Sequence, residues 1–336
     1  MNQIEQNAEQ GVLFFRRTLL SDRVARPESE ERIRKESSAG AAAPDADRQT
    51  GRIEPTFSLI VGTIGRVREL EKLLDSLLGQ SETEFEVIVI DQNSDSRLAF
   101  LPGRYDGKLN LRLVRHPASG ISAARNAGLH LAGGEFCAFP DDDCVYPAGV
   151  LERIRKKFEE TGADGLSLRV TDSRGRCSAG GFMGHRESRI SRSNVWRCAV
   201  SPGLFFRRSV LLRCGGFDES LGVGAPGECF SAEDSELVLR LLREGRKIHY
   251  LPSLTIGHPA PSWTGNFLRA YRYGLGMGRV LADYDYSFLQ VCRYAFWQHL
   301  RSVQRLCQGR VRQARWHWNM GMGRLAGFCR RNRGRL

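Results

Sequence analysis

The 336-residue sequence lacks several features that would place it in other classes of protein. No uninterrupted apolar run reaches the roughly 18 residues that a membrane-spanning helix needs, so an integral membrane protein is not predicted. The nine cysteines form no Cys-x-x-Cys pair and no Cys/His spacing of the structural zinc type. Their scatter favours free thiols in a reducing cytoplasm over a secreted disulfide scaffold.

Negative charge is absent from the end of the chain. Residues 286–336 contain eleven arginines, no lysine and no acid, and so account for +11 of the formal net charge of +12. The preceding 285 residues therefore carry only +1 (12 − 11). The basic character belongs to a tail, and the tail needs an explanation of its own.

Apolar residues recur at helical spacing in this tail, which predicts a basic amphipathic helical extension over residues 285–336. They are Phe288, Cys292, Ala295, Phe296, His299, Val303 and Leu306. Such a helix, with tryptophans nearby, suits an anionic membrane surface. The alternative is a helix that packs on the preceding domain and leaves its arginines in water. Nucleic acid is a less favoured partner, because no known binding motif accompanies the charge.

The other end of the chain is poor in residues that could form a core. Residues 1–54 are rich in Glu, Arg, Ser and Ala. Such a composition buries too little apolar surface to offset the entropy of ordering. We therefore predict a disordered leader over residues 1–54, without the basic start and apolar run of a signal peptide.

From Phe57 onward, short β-rich runs alternate with amphipathic segments, which predicts a doubly wound, mostly parallel α/β sheet. The predicted strands are 57–61, 86–91, 111–114, 135–139, 204–207 and 247–251. The predicted helices are 69–78, 122–131, 147–160 and 235–244. We divide this region, residues 55–284, into a first half (55–145) and a second half (146–284).

Three adjacent carboxylates follow a hydrophobic strand in Phe139-Pro140-Asp141-Asp142-Asp143. Ligands of open α/β sheets bind at the carboxyl ends of strands. Oxygen clusters of this kind suit Mg²⁺ or Mn²⁺. The alternative is an acidic loop that caps the next helix, but mutual repulsion among the three acids favours a bound cation.

A second acidic motif, Ser231-Ala232-Glu233-Asp234-Ser235, opens an amphipathic helix. Taken alone, it is an ordinary helix start in which Ser231 or Asp234 serves as the N-cap. The segments Gly62–Arg66, Asp91–Ser94 and Gly120–Gly128 also lie where a nucleotide could meet loops and a helix N-terminus.

In this order, strand-end Thr63, strand-end Asp91, Ser122-Ala123-Ala124-Arg125-Asn126, the Asp triplet and Glu233-Asp234 resemble the inverting family 2 glycosyltransferases of the GT-A fold. Gly215-Gly216-Phe217-Asp218-Glu219 is similar to the family's acceptor-side pattern. The likeness covers residues 57–280 and implies that residues 55–145 are the nucleotide-binding half and residues 146–284 the acceptor half. It implies transfer of a sugar from a nucleoside-diphosphate sugar to a glycan or lipid-linked acceptor, in cell-surface polysaccharide or glycolipid assembly at the inner face of a membrane.

The resemblance also implies a role for each matching residue. The donor nucleotide would be held by Thr63, Arg66, Asp91, Arg125, Asp141 and Asp142. Mn²⁺ or Mg²⁺ would be bound by Asp143, with Asp141 and His258. Asp234 would be the catalytic base, and Glu233 beside it would orient the acceptor. For His258, a purely structural role is an equal alternative.

The chain departs from the family pattern in two places. Asp91-Gln92-Asn93-Ser94 stands where Asp-Asp-Gly-Ser is common, so UDP, TDP and GDP all remain alternatives as the donor nucleotide. Gln313-Ala314-Arg315-Trp316 is one residue short of the Gln-x-x-Arg-Trp of processive members, which favours transfer of a single sugar. The rival functions are a sugar-nucleotide pyrophosphorylase and a non-catalytic nucleotide-sugar-binding protein.

Overall fold

Buried aliphatic residues build the strands at the centre of the protein. β1 (Phe57–Thr63) and β2 (Phe85–Asp91) are buried over their whole length. Strands that are covered on both faces of a parallel sheet have this pattern. Along β1, Leu59 and Val61 enter one apolar core while Ile60 enters the core on the opposite face. The sheet therefore separates two hydrophobic layers.

The computed structural model describes residues 54–117, 120–177, 184–260 and 266–333. The leader prediction for residues 1–54 falls, but for its last residue, outside the described residues.

The elements follow one another in an alternating order. The remaining strands are β3 (Asn110–Arg115), β4 (Phe136–Ala138), β5 (Gly165–Thr171), β6 (Ser188–Arg189), β7 (Leu204–Arg207) and β8 (Ile248–Gly257). The helices are α1 (Arg68–Leu77), α2 (Leu101–Arg104), α3 (Ile121–Leu131), α4 (Val150–Thr161), α5 (Val195–Cys198), α6 (Arg208–Cys214), α7 (Glu233–Arg243), α8 (Phe267–Asp283), α9 (Phe288–Cys307) and α10 (Val311–Arg333). A 3₁₀ turn, Ser201–Gly203, precedes β7.

The described strands form one eight-stranded sheet in the order β3-β2-β1-β4-β7-β5-β8-β6. β1 pairs in parallel with β2 and β4, β2 with β3, and β5 with β8. β7 runs antiparallel to β4 and β5, and β6 runs antiparallel to β8. The predicted doubly wound, mostly parallel sheet is confirmed, and the carboxyl ends of β1, β2 and β4 lie side by side.

The predicted start of α4 at Pro147 is wrong. The helix begins at Val150, because Gly149 has a left-handed backbone with φ of 66°. The Val150 N–H donates to the Pro147 carbonyl across this turn. Glycine adopts such a conformation readily, so the proline belongs to the turn and not to the first helical turn.

β8 is longer than the predicted strand 247–251. Its register with β5 moves from Leu168 opposite Leu251 to Arg169 opposite Thr255, so three residues of β8 bulge out around Pro252. A bulge is a position where a strand tolerates proline, which has no N–H for the ladder. The strand then continues to Gly257 and so delivers His258 to the end of β5.

Three long helices complete the chain, and two of them pack closely through glycine. A Cβ on Gly274 or Gly278 of α8, or on Gly323 or Gly327 of α10, would lie within 3.0 Å of backbone atoms of the other helix. The bare glycine surfaces allow the two backbones to approach. Within the described residues, no helix is both long and apolar enough to cross a membrane.

The helical end shares a core with the sheet. Val280 of α8 and Phe328 of α10 belong to the same buried cluster as Leu237 of α7 and Ile60 of β1. A Cβ on Gly276 of α8 would lie within 3.0 Å of the Ser231 carbonyl oxygen, just before α7. Helix α8 is thus packed against the segment that leads into the Glu233–Asp234 motif.

Candidate active site

The carboxyl edge of the sheet brings together acids from separate parts of the sequence. Thr63 ends β1, Asp91 ends β2, and the Asp141–Asp143 triplet follows β4. Adjacent parallel strands end at the same edge, so these residues become neighbours. The buried Thr63 Oγ1 donates a 2.7 Å hydrogen bond to Asp142 Oδ2.

Arg66 lies directly over the acidic triplet. Its Nη1 donates to Asp142 Oδ1 and to Asp143 Oδ2, both at 2.6 Å. Burial alone would lower the pKa of Arg66, but the two carboxylates raise it overall. Burial also raises the pKa of Asp142, although Thr63 and Arg66 oppose the rise. Arg66 therefore supplies a positive charge at the edge where a donor would enter.

Asp141, Asp143 and His258 form a three-residue group with the geometry of a metal site. One ligand atom from each lies within 4.8 Å of the other two. His258 Nε2 is 3.3 Å from Asp143 Oδ1 and 3.6 Å from Asp141 Oδ2. The group was predicted from two distant parts of the chain, and the extension of β8 brings its histidine into place.

Two further features of this group suit a divalent cation. Asp143 Oδ1 is buried and has no hydrogen-bond partner. His258 Nδ1 lies 2.7 Å from the Pro259 carbonyl, which can only accept a hydrogen bond, and Nε2 therefore remains on the side of the carboxylates. Two carboxylate oxygens and one imidazole nitrogen are a donor set that Mn²⁺ accepts, and Mg²⁺ favours the oxygens.

Asp91 is buried at the end of β2 and is held by its own turn. Asn93 donates to Asp91 Oδ1 through its backbone N–H at 2.9 Å and its Nδ2 at 2.6 Å. The Asn93 side-chain oxygen accepts the Gly65 N–H at 2.6 Å. Asn93 thus ties the β2 loop to the β1 loop, in the stretch where the family commonly carries a second acid and a glycine.

Arg125 is the central cation of the site. Its side chain is 3% exposed, and it contacts three carboxylates: Asp234 Oδ1 at 3.1 Å, Asp141 Oδ1 at 3.3 Å and Glu233 Oε1 at 3.6 Å. The guanidinium also stacks over Phe217, 5.3 Å from the ring centroid. Burial opposes its charge, yet the three acids raise the pKa of Arg125. The guanidinium thus connects the group of Asp141, Asp143 and His258, which we call the metal-type group, to the Glu233-Asp234 motif at the start of α7.

The first turn of α7 is set by an unusual backbone. Ala232, the residue before the helix, has φ of 77°, in the left-handed region that disfavours residues other than glycine. Asp234 accepts hydrogen bonds from the Ser201 hydroxyl through Oδ1 and from the Ser201 N–H, at 2.9 Å, through Oδ2. Both oxygens of Asp234 are therefore oriented by the 3₁₀ turn before β7.

The capping alternative for this motif is wrong. The N-cap position is Ala232, which offers no side-chain bond. Ser231 Oγ donates to the Tyr273 carbonyl at 2.7 Å, and Asp234 is engaged by Ser201 and Arg125. Both acids also contact Arg125, Asp234 Oδ1 at 3.1 Å and Glu233 Oε1 at 3.6 Å.

Glu233 and Asp141 differ from exposed carboxylates. Burial and then the neighbouring Asp234 raise the pKa of Glu233 to about 8, against the partial opposition of Arg125. Burial likewise raises the pKa of Asp141, while Arg125 and His258 oppose the rise. Perturbed carboxyl groups grouped in a cleft are typical of functional sites.

Three contributors were not predicted from the sequence: Ser201, Asn93 as a link between loops, and Phe217 as a platform for Arg125. Ser201-Pro202-Gly203 has only the composition of a turn. No local pattern shows that its serine faces a helix start 33 residues later.

A cleft of about 830 Å³ opens beside Asp143 and His258. Its lining contains the cations Arg66, Lys72, Arg174 and Arg176 together with the acids Glu69, Asp143 and Asp172. The cations near a metal-type group would suit a diphosphate.

A mostly parallel sheet with a metal-type acidic loop at its carboxyl edge and an acidic helix start opposite defines the GT-A class of nucleotide-sugar transferase folds. Residues 58–211 match the model of glycosyl transferase family 2.

Relatives with described activities share this region. The chain is 32% identical over 200 residues to the poly(ribitol-phosphate) beta-N-acetylglucosaminyltransferase TarS of Staphylococcus aureus, covering 58% of this chain and 34% of that one. It is 30% identical over 165 residues to a GalNAc(5)-diNAcBac-PP-undecaprenol beta-1,3-glucosyltransferase of Campylobacter jejuni, covering 47% and 53%. The chain thus spans about a third to a half of the length of these relatives.

Solved structures support the fold. TarS residues 1–349 in complex with UDP-GlcNAc give a TM-score of 0.52 at 18% identity, covering 83% of this chain and 92% of that one. The mannosyltransferase PcManGT from Pyrobaculum calidifontis, in complex with GDP-Man and Mn²⁺, gives a TM-score of 0.53 at 20% identity, covering 69% and 64%. At these identities the likeness carries the fold, and the chemistry rests on the site described above.

Proposed function

We propose that this chain is an inverting, metal-dependent glycosyltransferase that moves one sugar from a nucleoside-diphosphate donor to an acceptor hydroxyl. The observation that carries the proposal is the buried Arg125. Its guanidinium contacts both Asp141, in the Asp141, Asp143 and His258 group, and Asp234. In this proposal, the leaving-group site at Asp141 and the candidate base Asp234 lie on two sides of the Arg125 guanidinium.

Asp234 is the proposed catalytic base. A single in-line displacement needs a base on one face of the sugar and a stabilised diphosphate on the other. Asp234 is aimed by Ser201 and Arg125 and can accept the acceptor hydroxyl's proton as the new glycosidic bond forms. One displacement inverts the anomeric carbon. Glu233 beside it would hold its proton at neutral pH and orient the acceptor.

Asp143, Asp141 and His258 would hold Mn²⁺ or Mg²⁺, which when bound neutralises charge on the diphosphate leaving group. Thr63, Asp91 and Asp142 would line the nucleotide. Arg66 and the cleft cations would attract the diphosphate. UDP, TDP and GDP remain the candidate nucleotides.

The proposed acceptor is a glycan or a lipid-linked glycan in cell-surface polysaccharide or glycolipid assembly. Two relatives are named for a poly(ribitol-phosphate) and an undecaprenol-linked substrate, which supports this class. We place the enzyme in the cytoplasm, at the inner face of the membrane.

Calorimetric titration with UDP, TDP and GDP, each with and without Mn²⁺, tests the donor site without knowledge of the acceptor. We expect Mn²⁺-dependent binding of one diphosphate, lost in Asp143→Ala and kept in the control Asp106→Ala, whose side chain is exposed elsewhere on the surface. Absence of binding for all three nucleotides in folded protein would overturn the proposal. Production of nucleoside triphosphate from pyrophosphate and the nucleotide sugar would instead support the pyrophosphorylase alternative.

A further inference from the structure

Helix α9 has one face that is packed inside the protein. Val291 and Ala295 are buried, and the buried Ser302 donates through Oγ to the Ala314 carbonyl of α10 at 2.7 Å. The buried Gln298 side chain lies 2.8 Å from His317 of α10. These contacts fix the rotation of α9, and with it the side that points away from the rest of the chain.

The side that points away is apolar. Leu289 is 79% exposed, Phe296 60%, Leu300 45% and Val303 54%. Their spacings of seven, four and three residues place them on one stripe of a helix. We call these four residues, with Arg293 between the first two, the outer face of α9. Trp297 borders it and is 51% exposed.

The predicted amphipathic stripe is only partly this face. Ala295, which belonged to the prediction, is buried against the protein, whereas Phe288, Phe296, Val303 and Leu306 are each more than half exposed. A periodic apolar pattern indicates an amphipathic helix but does not say which of two adjacent faces is buried. In α9 the small and polar residues face inward and the large apolar ones face out.

The charge around the outer face has one sign. Arg293 lies on it, and Arg301, Arg310 and Arg312 are exposed on the same helical hairpin. No acid follows Asp285 in the sequence. Within the described residues, the ion pairs made by residues 286–333 are those of Arg330 and Arg331, near the far end of α10.

We propose that the outer face of α9 docks on the surface of an anionic lipid bilayer. Apolar side chains would enter the headgroup boundary, Trp297 would lie at its edge, and the arginines would contact lipid phosphates. A second copy of the chain is disfavoured as the occupant, because pairing two such faces would oppose arginines without any acid between them. A nucleic acid would neutralise the arginines but leave the apolar stripe in water.

This contact would also orient the active site. α10 is packed on α8 through glycine, and α8 contacts Ser231, which leads directly into the start of α7. The docked helix α9 is thus connected to the Asp234 segment through the packed helices α10 and α8. Docking would therefore present the acceptor side of the cleft at a fixed height above the bilayer, where a lipid-linked hydroxyl is found.

Co-flotation of the full chain with vesicles tests the proposal without any sugar transfer. The two vesicle types are phosphatidylcholine mixed with phosphatidylglycerol, and phosphatidylcholine alone. We expect binding to the anionic vesicles only, weakened about tenfold or more in the double variant Phe296→Ser/Leu300→Ser. The control Leu131→Ser/Leu212→Ser removes two other exposed apolar residues, 40% and 42% exposed, from α3 and α6 and should leave binding unchanged.

A second double variant, Arg293→Gln/Arg301→Gln, separates charge from apolar contact. We expect about tenfold weaker binding to anionic vesicles and a reduced dependence on salt. Circular dichroism and nucleotide titration would confirm that each variant is folded. The proposal is overturned if the chain binds neither vesicle, if it binds both equally, or if Phe296→Ser/Leu300→Ser abolishes a dimer or a nucleic-acid complex instead.

Discussion

The carboxyl edge of the sheet and the helical end of the chain are held together by opposite means. At the sheet edge, charged side chains converge: Arg125 alone contacts three carboxylates. In the helical end, side chains are missing where contact is closest, since glycines of α8 and α10 meet backbone to backbone. The first arrangement positions charged groups at the candidate active site. The second sets the distance between helices α8 and α10.

The two regions meet in the loop between α6 and α7. Arg279 of α8 donates to Asp218 Oδ2 at 3.0 Å and to Ser220 Oγ at 2.8 Å. Ser231 bonds to Tyr273 of α8 from the other end of the same loop. Support from the helices therefore reaches the proposed acceptor side of the site through direct contacts at Asp218, Ser220 and Ser231.

Removal of the charged centre should have the largest effect on stability. Arg125→Met leaves three partly buried carboxylates without their shared, buried cation, which should cost about 3–5 kcal/mol of unfolding free energy. Denaturant unfolding measures this loss. Arg112→Met is the control, because its pair with Glu86 is long, at 4.0 Å, and half exposed, so its loss should cost at most about 1 kcal/mol. Equal losses in both variants would contradict the central role of Arg125.

A methyl group between the helices should affect the other region. Gly323→Ala places a Cβ within 3.0 Å of the Tyr271 carbonyl and Gly274, and should cost about 1–3 kcal/mol through overpacking. Nucleotide affinity should stay near that of the unmodified protein, because the donor edge lies in the other region. Gly103→Ala, whose Cβ would contact nothing within 4 Å, is the control. A Gly323→Ala protein of unchanged stability would contradict the close packing.

The pH dependence of stability should single out Glu233. Its pKa is about 8 in the folded protein against 4.5 in the unfolded chain. The folded protein therefore holds a proton that the unfolded chain releases, and stability falls as pH rises from about 4.5 to about 8. In metal-free protein, Glu233→Gln should remove most of this fall in stability.

Urea unfolding across this pH range makes the measurement. Glu159→Gln, an exposed surface change, serves as the control. A pH dependence that persists unchanged in Glu233→Gln would contradict the assignment.

The smallest predicted effect concerns the aim of Asp234. Ser201→Ala removes the hydroxyl bond to Asp234 but keeps the backbone N–H bond, so kcat should fall about five- to tenfold with KM unchanged. Ser201→Thr retains a hydroxyl and should restore most of the rate. A loss that appears in KM alone would show that Ser201 acts on binding and not on the base.

Much of the sheet could be predicted because its signals are local. Buried apolar runs such as Phe57–Val61 indicate strands, and the acids that follow them lie at one edge by the geometry of parallel strands. The prediction also brought Asp141, Asp143 and His258 together, through the family pattern. The site roles of these residues stay predictions that the experiments above address.

What could not be predicted depends on contacts between distant segments. The Ser201–Asp234 bond joins a turn to a helix start, and neither sequence indicates the other. The β8 bulge at Pro252 follows from pairing with β5. Glycines in α8 and α10 weaken each helix when considered alone, and their value appears only when both helices are in contact.

Comparison of Asp234→Asn with the unmodified protein tests the central claim most directly. Using the nucleotide sugar whose diphosphate binds in the titration and a membrane glycolipid extract as acceptor, one would measure donor binding and release of nucleoside diphosphate. The account predicts donor affinity within about twofold and turnover reduced by about 10²–10⁴-fold, the contribution of a general base. Unchanged turnover would contradict the assignment of Asp234 and leave a binding role for the fold.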